Sequence, residues 1–388
     1  LQWLKIFRKL SGFCKFPSIF SKMNFSVLNR AIIFQLFAII SLLMIIPAFI
    51  AFLERDYFVA RTFLYCSCAG VIVYTLIAIA LSNIIKVQNN FEKLLSFILS
   101  YFFLPIFMAL PLVLSVAEVG LIDAWLGMVS SFTTTGLIIT NLEIFSGSAL
   151  RLWFGMVSWI GGIFFWICAI SILLPLNINR FEIGVNDFLD GSPIKGREVN
   201  SVISNARHLI PVYLIITIAL WLFLTFAGMS GFQALLMAMS VISTSGFDIM
   251  SDEIPKVFII EGIILIFFVF ALSKSLFLRD INDLRKFRFF TDPEIRLALI
   301  IILAVTGLFY AKSIFVLLSE NIDINVVVLL KQLWGIFFTV ASYLVTMGIE
   351  SKVWSDYPSF ALAEVSAVSV MGLAIIGGGV ATTAGGVK

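Results

Sequence analysis

The sequence predicts an all-α polytopic membrane protein, with repeated helix–P-loop–helix units around a pore and two extra helices on the N-terminal side. Three observations carry this. First, 61% of the 388 residues are hydrophobic and 13% charged, with a mean hydropathy of +1.07, a balance foreign to soluble domains of this length. Second, apolar runs of about twenty residues, enough to cross a bilayer, recur along the chain. Third, three polar turns that end on glycine fall between such runs: Ser131-Phe132-Thr133-Thr134-Thr135-Gly136, Ser243-Thr244-Ser245-Gly246-Phe247 and Thr346-Met347-Gly348-Ile349. Their glycines, at 136, 246 and 348, are 110 and 102 residues apart.

Residues 1–30 carry Lys5, Arg8, Lys9, Lys15, Lys22 and Arg30 without an acid, which reads as a basic arm on the membrane surface. Residues 31–94 hold two helices, with spans at 31–53 and 62–85. The first unit, 95–207, has a span at 95–117 containing Pro105 and Pro111, a half-helix over 121–131, the first turn, and a span at 151–176. That last span carries Trp159-Ile160-Gly161-Gly162, whose small residues permit close helix approach. A polar loop at 177–207 follows. The second unit, 208–296, has a span at 209–228, a half-helix over 231–243, the second turn, a span at 257–278 and a basic loop at 279–296. The third, 297–388, has a span at 297–318, a half-helix near 326–344, the third turn, and an apolar run broken by Gly377-Gly378-Gly379 and again by Gly385-Gly386. If the spans alternate and the half-helices re-enter, the basic segments share the cytoplasmic side.

The turns are where chemistry is expected. Thr and Gly are indifferent helix formers, so their clustering at membrane depth suits backbone that turns inward to replace the water around an ion. Gly supplies the positive φ that such a turn needs. The candidate ion-binding residues are Thr134, Thr135 and Gly136, then Thr244, Ser245 and Gly246, then Thr346, Met347 and Gly348. Only the glycine is read as common to all three, which predicts about one binding layer and loose selectivity among cations. Asp123, Glu143, Asp248, Asp252, Glu253, Glu350 and Asp356 fall on the outer side, where acids concentrate cations.

Other classes find less support. Cys14, Cys66, Cys68 and Cys168 are the four cysteines and His208 the one histidine. Cys66 and Cys68 are spaced poorly for zinc and read as packing residues. No catalytic set stands out, so an enzyme is not expected, and nothing points to nucleic acid. Glu261, Glu364 and Lys274 lie near span ends and read as snorkelling side chains. A secondary transporter of another small solute would also use broken helices, but typically in inverted halves, whereas these units run in one orientation.

These residues resemble the Trk/Ktr/HKT superfamily of potassium transporters, its Trk type in particular. The resemblance rests on the first turn, Trp159–Gly162 and Pro175, on Ala227-Gly228-Met229-Ser230, the second turn and Asp292-Pro293-Glu294-Ile295-Arg296, and on Gly377-Gly378 with Thr383-Ala384-Gly385-Gly386-Val387-Lys388. It implies potassium uptake across the bacterial inner membrane through a carbonyl-lined filter, with potassium as the transported ion and no organic cofactor. It also implies an intramembrane gate built from Gly377, Gly378, Gly379, Thr382, Thr383, Gly385 and Gly386. Lipid, a second copy of the chain in a homodimer, and a cytosolic nucleotide-binding (TrkA-like) subunit on the 177–207 and 279–296 loops are the partners it implies. Ser245 stands where the family has Gly, and Met347 where Thr is usual. The family's fourth unit has no counterpart among these residues. One copy of them is therefore expected not to close a four-part filter, which leaves a non-conducting remnant as an alternative.

Overall fold

Proline, glycine and the demands of lipid divide the chain into twelve α-helices among the described residues. The structure, a computed structural model, describes residues 32–80, 90–137, 147–169, 171, 201–247, 256–272, 293–319, 326–354, 367–379 and 382–386. The basic arm, most of the 177–207 and 279–296 loops, Cys14, Pro175, Lys274, Glu364 and the outer acids Glu143, Asp248, Asp252, Glu253 and Asp356 lie outside them, as does the His208 side chain.

The first span is two abutting helices, α1 (Ile32–Leu43) and α2 (Ile45–Leu53). The break at Met44 has a local cause. Pro47 lacks the N–H that would bond the Leu43 carbonyl, and its ring crowds that oxygen. Helix α3 (Tyr57–Ala80) returns antiparallel, and α4 (Asn90–Ser115) opens the first unit. Pro105 and Pro111 lie inside α4. Beside them, Trp125 gives its indole N–H to the Phe102 carbonyl at 3.3 Å and Trp153 to that of Met108 at 3.1 Å, each one residue after the carbonyl, Tyr101 or Phe107, whose i+4 donor the proline removes.

Three short-helix elements follow their spans: α5 (Leu121–Phe132), α8 (Gly231–Ser243) and α11 (Val326–Leu344). The helices after the turns are α6 (Ser148–Cys168), α9 (Val257–Leu272) and α12 (Ala367–Ile376). The helices before them in units two and three are α7 (Ser201–Phe226) and α10 (Pro293–Ser319). Ser230 caps α8, its Oγ accepting from the Gln233 N–H at 3.4 Å. Helix α11, at 19 residues, is longer than the other two.

Each unit packs in the same order: α4 on α5 on α6, α7 on α8 on α9, α10 on α11 on α12. Successive units are joined the same way, since α6 packs on α8 and α9 on α11. Helix α6 is the hub, with 83% of its apolar window buried, whereas α10 faces outward with 17%. One core joins α1–α6 through Phe63, Met108, Phe132 and Trp153. Another joins units two and three through Tyr213, Leu220, Met237, Phe268 and Phe338. Leu152, Met156 and Leu236 bridge the two. Apolar side chains on the outer surface, among them Phe49, Phe103, Phe223 and Leu303, are what lipid covers. Among the described residues, six helices are long and apolar enough to cross a membrane, α1 and α2 counting together as one.

Lipid tails are as apolar as these side chains, so helices gain by fit rather than by leaving water. The Gly161–Gly162 pair of α6 shows this. A Cβ on Gly161 would lie 2.0 Å from the Phe132 carbonyl oxygen at the end of α5. One on Gly162 would lie 3.0 Å from Ser243 Cβ at the end of α8. The pair therefore wedges between the C-terminal ends of the first two half-helices, and fixes where both turns begin.

Candidate functional site: three turns and a glycine-rich segment

The three half-helices end in one backbone motif. Thr134, Thr244 and Thr346 have φ of 56°, 54° and 62°, and two residues later Gly136, Gly246 and Gly348 have 73°, 64° and 73°. In each turn the residue between them donates its N–H to the carbonyl five residues back. Thr135 bonds the Ser130 carbonyl at 2.9 Å, Ser245 that of Ser240 at 3.0 Å, and Met347 that of Ser342 at 2.9 Å. The threonine N–H bonds three residues back, to Ser131, Val241 and Tyr343. This paired arrangement closes a helix whose terminal residue is left-handed, a place usually taken by glycine. A left-handed conformation costs an L-residue roughly 1–2 kcal/mol, and a β-branched one is an outlier there. The same strain at three equivalent threonines marks them as the centre of the site.

The glycine is therefore not the one residue that the turns share, which corrects the expectation from sequence. Thr two positions before the glycine and Ser six before it recur in all three. Both signals were available by superposing the three segments on their glycines.

The turns also touch in order. A Cβ on Gly136 would lie 1.7 Å from the Ser245 carbonyl oxygen, and one on Gly246 1.8 Å from that of Met347. Gly348 differs, since among the described residues a Cβ there would meet only the Tyr343 ring at 3.8 Å. The half-helices present their C-terminal ends to these turns. The unpaired carbonyls there carry about half a negative charge per helix, which favours a cation. Thr133 and Thr135 are exposed, with their hydroxyls 2.8 Å apart.

Behind the third turn lies Glu261 of α9. It is 0% exposed, so it does not snorkel. Its carboxylate accepts from the Trp334 indole at 2.7 Å, the Ser351 hydroxyl at 2.8 Å and the Lys352 N–H at 3.0 Å. Thr339 Oγ1 accepts from the Ser351 N–H at 3.2 Å and Ser342 Oγ from the Ile349 N–H at 2.9 Å. The chain leaving Gly348 is thus pinned by one buried acid and two hydroxyls. Sequence reasoning missed this role because the partners lie far along the chain.

Below the second and third turns lies the glycine-rich segment. Helix α12 stops at Gly377, with φ 72°. The chain then doubles back so closely that a Cβ on Gly377 would sit 2.1 Å from the Gly385 oxygen. The Gly379 N–H at 3.1 Å and Thr382 Oγ1 at 2.8 Å both donate to the Ala271 carbonyl near the end of α9. Two further bonds reach the turns themselves. Thr244 Oγ1 donates to the Thr383 carbonyl at 3.0 Å, and the Gly385 N–H donates to Thr346 Oγ1 at 2.7 Å. The structure thus brings the candidate filter and the candidate gate into direct contact through two of the left-handed threonines. Among the described residues no group of three His, Cys, Asp or Glu side chains could hold a metal ion. Cys66, Cys68 and Cys168 are free.

A comparison with protein-family models finds no match. Individual proteins do match. The chain is 28% identical over 286 residues to an uncharacterized cation transporter of Methanocaldococcus jannaschii, covering 72% of this chain and 53% of that one. It is 28% identical over 292 residues to the Trk system potassium uptake protein TrkH of Halomonas elongata, covering 74% and 57%. To TrkH of Escherichia coli K12 it is 25% identical over 382 residues, covering 94% and 74%. The chain thus spans little more than half the length of the archaeal and Halomonas TrkH relatives. Its fold is that of the potassium transporter TrkH of Vibrio parahaemolyticus in its crystal structure, with a TM-score of 0.72 at 22% identity, over 94% of this chain and 72% of that one. With these relatives and this fold, the chain is a multi-pass inner-membrane protein that is similar in sequence to Trk system potassium uptake proteins and shares the fold of TrkH.

Proposed function

We propose that this chain forms the wall of a potassium uptake pore. The observation that carries the reading is the triplicated turn. Three half-helices present their negative ends to left-handed Thr-x-Gly turns, and these turns pack edge to edge through glycine and carbonyl. That arrangement gathers backbone oxygens at membrane depth, where they can take the place of an ion's water. The curated relatives, named as potassium uptake proteins and a cation transporter, agree with potassium as the cargo. The open side of Gly348 is where a further turn would complete the ring. The segment 377–386 acts as the gate, because irregular backbone is tolerated at membrane depth only where it is buried in protein or lines a water-filled cavity. A homodimer and a cytosolic nucleotide-binding subunit remain part of the proposal, through the cytoplasmic loops.

The test is growth of a potassium-uptake-deficient host on limiting potassium, using the full-length natural protein. Rescue by the wild type and loss of rescue with Gly136→Ser, in protein that still reaches the membrane, are the expected results. Equal rescue by Gly136→Ser, or no potassium flux from purified wild type in liposomes, would remove the reading.

A further inference from the structure

We infer that Thr244 and Thr346 are a two-point latch that couples the filter to the gate, holding segment 382–386 closed against the underside of the second and third turns. The inference rests on the pore reading above and goes beyond it, by assigning the side chains that would tie ion occupancy to opening. The amides of these threonines are engaged in the turn, bonding the Val241 and Tyr343 carbonyls. Their hydroxyls both reach the same five-residue stretch.

The two bonds differ in a way that suits a latch. A threonine hydroxyl has one hydrogen to give and can also accept. Thr244 Oγ1 lies 2.7 Å from the Ser243 carbonyl and 3.0 Å from that of Thr383, so its single proton is shared between the filter's own helix and the gate. When the gate leaves, the proton still has the Ser243 oxygen, and no donor is stranded. Thr346 plays the opposite part and accepts, from the Gly385 N–H. Gly385 is exposed, so once released its amide can bond water. Neither donor of the latch is left buried and unpaired on opening, which lowers the usual barrier to breaking such a contact.

The choice of threonine follows. Glycine would take the left-handed φ at these positions without strain, but has no hydroxyl. A strained threonine is the residue that turns the helix end and still carries a side-chain oxygen toward the gate. Because the bonded atoms belong to residues at φ of 54° and 62°, a shift of the turn on ion binding or loss would move the hydroxyls with it.

The test uses the full-length protein with its native cysteines replaced and Ala384→Cys as a reporter, since Ala384 is buried. Thr244→Val and Thr346→Val keep the shape and remove the hydroxyl, while Thr→Ser keeps the hydroxyl. The expected result is that each Val variant raises the rate at which a water-soluble methanethiosulfonate modifies the reporter by about fivefold or more, and that Ser restores the slow rate. Unchanged rates in both Val variants overturn the latch. So does an equal rise with Ser, which would mean a merely structural role. Hydrogen exchange of the wild type tests it without any variant. Residues 382–386 should exchange at least about tenfold slower than an open loop although Gly385 is exposed, and exchange at the open-loop rate overturns the inference. Neither readout needs ion flux, so absence of potassium transport would sink the pore reading alone.

Discussion

The second and third turns have the same sequence grammar and the same backbone angles, yet sit in different surroundings. The second is enclosed, with Gly246 against the Met347 carbonyl and Gly136 against its own Ser245 carbonyl. Thr244 and Ser245 are each 1% exposed. The third has a turn behind it but, among the described residues, no backbone beside Gly348, and is instead stiffened from the back by Glu261, Thr339 and Ser342. A turn held between neighbours needs little scaffolding. A turn with a free flank takes its order from side chains planted in adjacent helices.

That contrast can be broken most forcefully at the glycines. Gly246→Ala places a methyl 1.8 Å from a backbone oxygen, which no side-chain adjustment relieves. Potassium flux in liposomes should fall at least tenfold, with Gly136→Ala close behind. Gly348→Ala adds only the cost of an L-residue at positive φ, roughly 1–2 kcal/mol, and should leave flux within about threefold of wild type. Equal losses at 246 and 348 would mean that the two flanks are equivalent after all.

Next in size is Glu261. Glu261→Ala leaves a buried indole, a hydroxyl and an amide without their acceptor, a loss of roughly 3 kcal/mol for such a group of bonds. Thermal unfolding in detergent should show a lower midpoint, and potassium over sodium preference should fall more than in any variant behind the second turn. Glu261→Gln keeps one acceptor oxygen and should recover part of the midpoint. If Gln proves as damaging as Ala, the ionised state itself is what the strand requires.

Gly161→Ala sharpens the comparison from another side. Its methyl would strike the Phe132 carbonyl at 2.0 Å and push α5 off α6, so the first turn should lose order while the third is spared. Exchange of backbone amides at 133–136 against 346–349 would show this. The smallest effect is expected at Trp153→Phe, which removes one hydrogen bond to a proline-bearing helix and lowers the midpoint by an amount worth about 1 kcal/mol.

Much of the fold was legible because its signals are local. The half-helix over 231–243 runs over the residues that the pattern predicts, since Ser230 caps it and Thr244 ends it. The Gly161–Gly162 pair announced a close approach, although only the structure shows that it meets two half-helix ends at once. The left-handed threonines were not legible from any one turn, because threonine is a poor signal for positive φ. They needed three turns set side by side. Glu261 was misread because a carboxylate near a span end usually finds water. Its donors, Trp334 and Ser351, come from a different unit. The breaks at 377–386 were plain in the glycines, but their attachment to Ala271, Thr244 and Thr346 depends on contacts of up to 139 residues' separation, which no spacing reveals.

The glycine-to-carbonyl contact has a sense of direction. Each turn offers a glycine to the next unit and a carbonyl to the one before, so the surfaces that meet are different, as in a head-to-tail assembly rather than a mirror-like pair. Repeated about one axis at one depth, such a contact either closes or spirals. In the pore proposed above, half-helices tied to one bilayer plane would close rather than spiral. The handedness would then specify any element between the third turn and the first: it would show a backbone oxygen to Gly348 and a bare Cα to the Thr135 carbonyl, and the reverse orientation would not fit.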